Sequence, residues 1–190
     1  MFSNERNFKD WQLSGFNGAP AQLLPETQST HSLIKSLASA GEIVPGTLIV
    51  ADTQTAGRGR HERTWESPAG LNLYFNILIP LDGIPLASAP QITQVAALTF
   101  AEIFKGLQED ANAQGKGNTG LGKITVKWPN DILCGKNKFC GILAELVYIK
   151  SSNNSTPRPS ISMGLIHDYR LQILSYNTSY LLGSTTSSSS

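Results

Sequence analysis

Lys123–Ile149 reads KITVKWPNDILCGKNKFCGILAELVYI, and the way this stretch breaks decides the fold. KITVKW, DILC and FCGILAELVYI are apolar runs rich in β-branched and aromatic residues, and GKNK, Gly135 to Lys138, supplies the turn between the last two. Runs of this length joined by so few residues predict consecutive antiparallel strands.

Upstream, LNLYFNILI (Leu71 to Ile79) alternates. Leu71, Leu73, Phe75, Ile77 and Ile79 share one face and Asn72, Tyr74 and Asn76 the other, the period of a half-buried strand that Pro80 ends. TLIVAD, Thr47 to Asp52, is a compact run of the kind that fills a buried strand. ISMGL, Ile161 to Leu165, is one more strand candidate. Two segments carry helical spacing instead. Ser29-Thr30 reads as an N-cap before Leu33, Ile34, Leu37 and Ala38, with Gly41 as the stop. Ile92, Val95, Ala96, Phe100, Ile103, Phe104 and Leu107 predict a long helix over one sheet face. The expected class is α+β, a mixed, largely antiparallel sheet flanked by helices.

Residues 1–25 are read as an irregular segment or one short strand, 26–165 as one folded domain, and 166–190 as a disordered tail ending in serines. GKGNTGLG (Gly115 to Gly122) reads as a flexible insertion and SSNNSTPRP (Ser151 to Pro159) as a loop.

Composition narrows the function classes. Fifteen Lys and Arg against 14 Asp and Glu leave a net charge of +1, so no global field recruits nucleic acid or anionic lipid. No apolar stretch approaches the roughly 18 residues of a membrane-spanning helix. Cys134 and Cys140, six positions apart, form no metal or redox motif and read as core thiols. His31, His61 and His167 lack metal-ligand spacing. MFSNERNFKDWQ, with Glu5 and Asp10, resembles neither a secretory leader nor a transit peptide, and the expected compartment is the cytoplasm.

Any anion site must therefore be local, and AGRGRHERTW, Ala56 to Trp65, is the strongest candidate. Gly57 and Gly59 allow close approach or positive φ, while Arg58, Arg60 and Arg63 bring guanidinium groups suited to carboxylate or phosphate. The segment is neither a Walker loop nor a dinucleotide fingerprint. It reads equally as a solvated basic loop or an active-site lid. In KWPND, Trp128 before Pro129 is expected to be extended, with Asn130 and Asp131 in a turn at a strand end. Asp131 there suits a metal-bound phosphate or an incoming amine, or simply caps the turn. Lys138 lies one strand reversal away, and Gly141 follows in a strand.

Taken in order, Ser29-Thr30-His31, Gln54-Thr55-Ala56-Gly57-Arg58-Gly59-Arg60, Trp65, Lys127-Trp128-Pro129-Asn130-Asp131 and Lys138-x-x-Gly141-Ile142-Leu143 resemble biotin protein ligase across Glu26 to Gly164. The resemblance implies a fold related to lipoate ligases and a reaction in two steps. The biotin carboxylate attacks the α-phosphate of ATP, with Mg2+ accompanying the nucleotide, and a lysine of a biotin carboxyl carrier domain then attacks the biotinyl-adenylate. It implies biotin contacts at Ser29, Thr30, His31, Gln54, Arg58, Gly59, Arg60, Lys138 and Gly141. It implies adenylate or ATP contacts at Gly57, Arg58, Arg60, Arg63, Trp65 and Asn130. Lys138, Arg60 and Asp131 would be catalytic, with Asp131 also serving the metal.

The sequence departs from the family after Gly164, where Leu165-Ile166-His167-Asp168 replaces the Gly-Ile/Leu-Asn continuation whose asparagine meets ATP. The usual remaining helices, the small C-terminal β-barrel and the N-terminal helix-turn-helix of some members are not recognisable either, so the expectation is a catalytic domain altered at its end. Two other readings stay open: an impaired ligase fragment that only binds biotin, and a lipoate-ligase-like enzyme.

Overall fold

A computed structural model describes residues 12–60, 63–70, 72–113, 122–150 and 156–168. The elements run β1 (Ala21–Thr27), α1 (Thr30–Ala40), β2 (Leu48–Arg58), β3 (Thr64–Ser67), β4 (Asn72–Pro80), α2 (Ala89–Ala113), β5 (Ile124–Lys127), β6 (Asp131–Cys134), β7 (Asn137–Ile149) and β8 (Arg158–Asp168). The strands form one sheet in the order β1-β2-β4-β8-β7-β6-β5, with β3 on β2. β1 and β2 are parallel and the other pairs antiparallel, which gives the mixed, largely antiparallel α+β sheet read from the sequence.

Local chemistry explains α1. Ser29 caps it by accepting from Ser32 N, and Gly41 ends it at φ 76°, a left-handed turn that only glycine adopts cheaply. Ile34 and Ala38 are fully buried against Ile49, Leu78, Val147 and Ile149. A second core forms under α2, where Ala96, Ala97 and Ala101 let the helix approach Ile142, Ile161, Met163 and Leu165. Phe104 meets Phe139 edge-on, with centroids 4.9 Å apart. On β4, Phe75, Ile77 and Ile79 pack toward the α2 core while Leu78 belongs to the α1 core, so the two helices cover opposite faces.

Several expectations change. Of the two readings of residues 1–25, an irregular segment or one short strand, the strand holds at its end, where β1 opens at Ala21 and pairs with Leu48. Pro25 is tolerated in that strand because β1 is an edge. The face of β4 read as polar and outward is the more deeply buried one, carrying Asn72, Tyr74 and Asn76. On α2, Val95 and Ile103 of the expected stripe are exposed, while Ile92, Ala96, Phe100 and Phe104 pack on the sheet together with Ala97 and Ala101. β8 is longer than Ile161 to Leu165 and passes the boundary at 165, since Asp168 still pairs with Asn72. The tail from residue 169, His61, most of the insertion and residues 151–155 lie outside the described residues. No helix among the described residues is long and apolar enough to cross a membrane.

Candidate active site

A cleft of about 310 Å³ opens at the N-terminus of α1, between the β2–β3 hairpin and the β6–β7 hairpin. Ser29, Thr30, His31, Gln54, Arg58, Gly59, Arg60, Arg63, Trp65, Asn130, Asp131, Lys138 and Gly141 all line it. Residues from four separate sequence motifs thus meet in one place.

The cleft has a neutral end. Ser29, Thr30 and His31 are buried in the first turn of α1. Gln54 Oε1 accepts from Thr30 N at 2.9 Å and Thr30 Oγ1 at 3.2 Å, and its Nε2 donates to Ser67 Oγ at 3.1 Å. Gln54 therefore pins the helix start to β3 as well as lining the cleft. Asn76 Nδ2 donates to His31 Nδ1 at 3.0 Å, and the Ser162 hydroxyl donates to Asn76 Oδ1 at 3.1 Å. That pattern assigns the ring proton to Nε2. Burial pushes the His31 pKa below 6.5, outweighing the nearby Glu145 carboxylate, which acts to raise it. His31 Nε2 lies 3.0 Å from Glu145 Oε2 but out of hydrogen-bonding alignment.

The other end is cationic. β2 continues through Gly57 to Arg58 and pairs with β3, so the segment read as a long loop is a hairpin whose turn begins at Gly59. Neither Gly57 nor Gly59 uses positive φ. Gly57 is required by packing, since a Cβ there would stand 2.5 Å from Trp65 O and 2.6 Å from Ser67 Oγ. It supports the hairpin and is not among the cleft-lining residues.

In the turn, Gly59 N donates to Arg63 O at 2.7 Å, holding Arg60 and Arg63 at the rim. Arg60 donates to Asn130 Oδ1 at 2.7 Å, and Asn130 Nδ2 donates to Asp131 Oδ1 at 3.0 Å and Ile142 O at 3.2 Å. Trp128–Pro129 is a cis peptide bond, and Asn130 follows it in the turn between β5 and β6. Lys138 stands at the start of β7, not in the turn. Its Nζ is 2.8 Å from Asp131 Oδ1 and 4.4 Å from the Trp65 ring centroid. Gly141 makes room for this stack, since a Cβ there would lie 3.0 Å from Lys138 Cε and 3.3 Å from the Trp65 ring.

Sequence reasoning missed Asn76, Ser162 and Glu145. Asn76 was visible only as a polar member of an alternating strand, and Ser162 carried no signal. Glu145, an acid inside an apolar run, was the most findable. Burial acts to raise its pKa, but the hydrogen bond from Lys35 and the nearness of the His31 ring hold the carboxyl down at about 2. Both cysteines are buried, and desolvation pushes their thiols up.

Chemically, a neutral, hydrogen-bonded recess beside three guanidinium groups and an ammonium suits a polar organic molecule that ends in an anion and reacts with a second anion. The biotin/lipoate A/B protein ligase family is matched over residues 23–156, and the chain belongs to that family. Its similar proteins include biotin ligases. The bifunctional ligase/repressor BirA of Bacillus subtilis is 39% identical over 125 residues, 65% of this chain and 33% of that protein. The biotin–[acetyl-CoA-carboxylase] ligase of Mycobacterium tuberculosis is 32% identical over 145 residues, 75% of this chain and 51% of that protein. The crystal structure of biotin protein ligase from Leishmania major in complex with biotinyl-5-AMP superposes with a TM-score of 0.53 at 26% identity, covering 76% of this chain and 56% of that one. The chain thus spans about a third of the length of the BirA relatives and about half that of the mycobacterial ligase.

Proposed function

We propose that this chain carries the adenylating site of a biotin protein ligase, which activates biotin as biotinyl-5'-AMP and passes it to a lysine of a biotin carboxyl carrier domain in the cytoplasm. The observation that carries the reading is the convergence of Arg58, Arg60, Arg63 and Lys138, from two hairpins, on one cleft whose far wall is the buried Ser29-Thr30-His31 turn.

In the first step a biotin carboxylate oxygen bonds to the α-phosphorus of ATP and the bond to pyrophosphate breaks. Both reactants are anions, so cations fixed in advance lower the barrier by positioning them and stabilising the developing charge. Lys138 is the central cation, held by Asp131 and by the Trp65 ring face. Arg60, fixed by Asn130, and Arg58 and Arg63 at the rim hold phosphate and carboxylate oxygens. Ser29, Thr30, His31 and Gln54 receive the neutral end of biotin, and Gly59 and Gly141 admit it closely. Gly57 acts through the hairpin it allows, and Trp65 covers the adenylate.

No group of three or more His, Cys, Asp or Glu that could hold a metal ion occurs among the described residues. One Asp131 oxygen is engaged by Lys138, which leaves the other. Such a donor set fits Mg2+ that arrives on ATP and is held by one carboxylate and the phosphates. There it would neutralise phosphate charge. In the second step the acceptor lysine amine bonds to the biotinyl carbonyl carbon and AMP leaves.

Pyrophosphate release with ATP and Mg2+ tests the reading, comparing biotin with lipoate. Release that depends on biotin is expected. Biotin binding without release would favour a binding fragment, and release with lipoate instead would favour the lipoate-ligase alternative.

A further inference from the structure

Glu145 stands on β7 where the strand passes beneath the start of α1 and the end of β2. Its two oxygens serve different elements. Oε2 is 2.8 Å from Lys35 Nζ and 3.0 Å from His31 Nε2, both on α1, while Oε1 is 3.6 Å from a terminal nitrogen of Arg58 on β2. Among the described residues it is the only carboxylate in ion-pair contact with Arg58. The Arg58 side chain is 40% exposed and Glu145 30% exposed, so the contact is partly shielded from water.

We infer that Glu145 is a positioning residue: it orients the Arg58 guanidinium toward the cleft and ties the cationic hairpin to α1, while Lys35 offsets its charge so that the charge on Arg58 stays available to an anionic ligand.

The distances support that division. If Glu145 paired with Arg58 alone, the pair would be neutral and of little use to an incoming carboxylate or phosphate. Instead the ammonium of Lys35 lies 0.8 Å nearer to the carboxylate than the guanidinium does, taking 2.8 Å from 3.6 Å. With His31 neutral, Lys35, Glu145 and Arg58 sum to one net positive charge. The carboxyl, held at about 2, is ionised at neutral pH. Backbone pairing fixes the position of the carboxylate, because Glu145 faces Ser162 across the β7–β8 register. Arg58 is the last residue of β2, beyond the bulge between Gln54 and Gly57, where the strand alone constrains a long side chain least.

Removing the charge separates positioning from a field effect. Glu145→Gln makes the local net charge more positive by one, so a role in the electrostatic field alone would tighten anion binding and speed adenylation. Positioning requires the opposite. Glu145→Gln is expected to lower kcat/KM for biotin-dependent pyrophosphate release about tenfold or more, the scale on which small misplacements act. In an Arg58→Ala background the same substitution is expected to change the rate less than about twofold, because the group it positions has gone. An equal loss in both backgrounds, or a gain in the first, overturns the inference. Lys35→Met should let Arg58 settle onto Glu145 and raise KM with kcat preserved, and an unchanged KM also counts against it.

These kinetic readouts rest on the ligase reading, so a second measurement stands apart from it. In ligand-free protein, 15N relaxation of the Arg58 Nε–H should show a fall in order parameter in Glu145→Gln toward the flexible range below about 0.6. An Arg58 side chain equally ordered in both proteins overturns the inference whatever the enzyme catalyses. Loss of biotin-dependent release by the unaltered protein, with Arg58 ordered by Glu145, would instead sink the functional reading alone.

Discussion

The two ends of the cleft are built on opposite principles. At one, Ser29, Thr30, His31, Gln54, Asn76 and Ser162 are buried and neutral, with Thr30 bonded to Gln54 and His31, Asn76 and Ser162 bonded to one another. At the other, Arg58, Arg60, Arg63 and Lys138 sit at hairpin ends, each side chain with access to the cleft. The difference follows from desolvation. A polar group can be buried at little net cost once its hydrogen bonds are made, whereas buried charge is expensive, so recognition of a neutral moiety goes inside and cations go to the rim. Substitutions at the buried end should therefore act on stability, and those at the rim on chemistry.

Lys138→Ala is the severest test of that contrast. Loss of a cation at the reacting centre should slow pyrophosphate release by about 10²–10³-fold, with biotin binding partly retained and the thermal midpoint little changed. Comparable loss of binding and of folding would erase the distinction. At the buried end, Asn76→Leu keeps the shape but takes the amide out of a buried triad, leaving His31 Nδ1 and the Ser162 hydroxyl, 3.1 Å apart, with only each other. A cost of about 1–3 kcal/mol in urea unfolding is expected. Arg60→Ala should speed adenylate release about tenfold, the loss of a hydrogen bond to a charged group. Its unfolding free energy should stay within about 0.5 kcal/mol, as at other surface positions. Equal effects on retention and stability would place Arg60 in the wrong half of the comparison.

Acidification probes both ends with smaller effects. Burial depresses the His31 pKa in the folded protein, so below 6.5 the unfolded chain binds more protons. Stability should fall as pH drops from 6.5 toward the depressed value, and His31→Asn should flatten that limb of a urea-midpoint profile. Glu145 adds a second fall with the same sign between 4.5 and about 2, where its carboxylate is lost in the folded state. A flat profile across both windows would contradict the burial and the pairing of these groups.

Much of this architecture was legible in the sequence for local reasons. Ser29 and Gly41 mark the ends of α1 by chemistry within a few residues, and the turns at Gly135 and Trp128–Asn130 fix the β5-β6-β7 run. The cleft was legible because its motifs carry residue types with a specific use, even though they meet from distant positions. What escaped depends on partners far along the chain. Asn76 looks like a solvent-facing residue until His31, 45 positions away, and Ser162, 86 positions away, satisfy it. Alternation alone gave β4 the wrong buried face for that reason. The Gly-Arg segment looked like a loop because strand propensity is weak there, and it became a strand through pairing with Trp65 and Thr64. On α2 the spacing found Ile92, Ala96, Phe100 and Phe104, which pack on the sheet, but it also drew in Val95 and Ile103, which are exposed, and passed over Ala97 and Ala101, whose small side chains carry no hydrophobic signal of their own.

The central claim is that one cleft joins a biotin recess to an adenylating cluster. Native mass spectrometry after incubation with ATP, Mg2+ and either biotin or lipoate tests it most directly. The account predicts protein carrying the added mass of biotinyl-5'-AMP with biotin and no adenylate with lipoate. Protein that leaves both mixtures without a bound adenylate, or that holds the lipoyl adenylate, would contradict it.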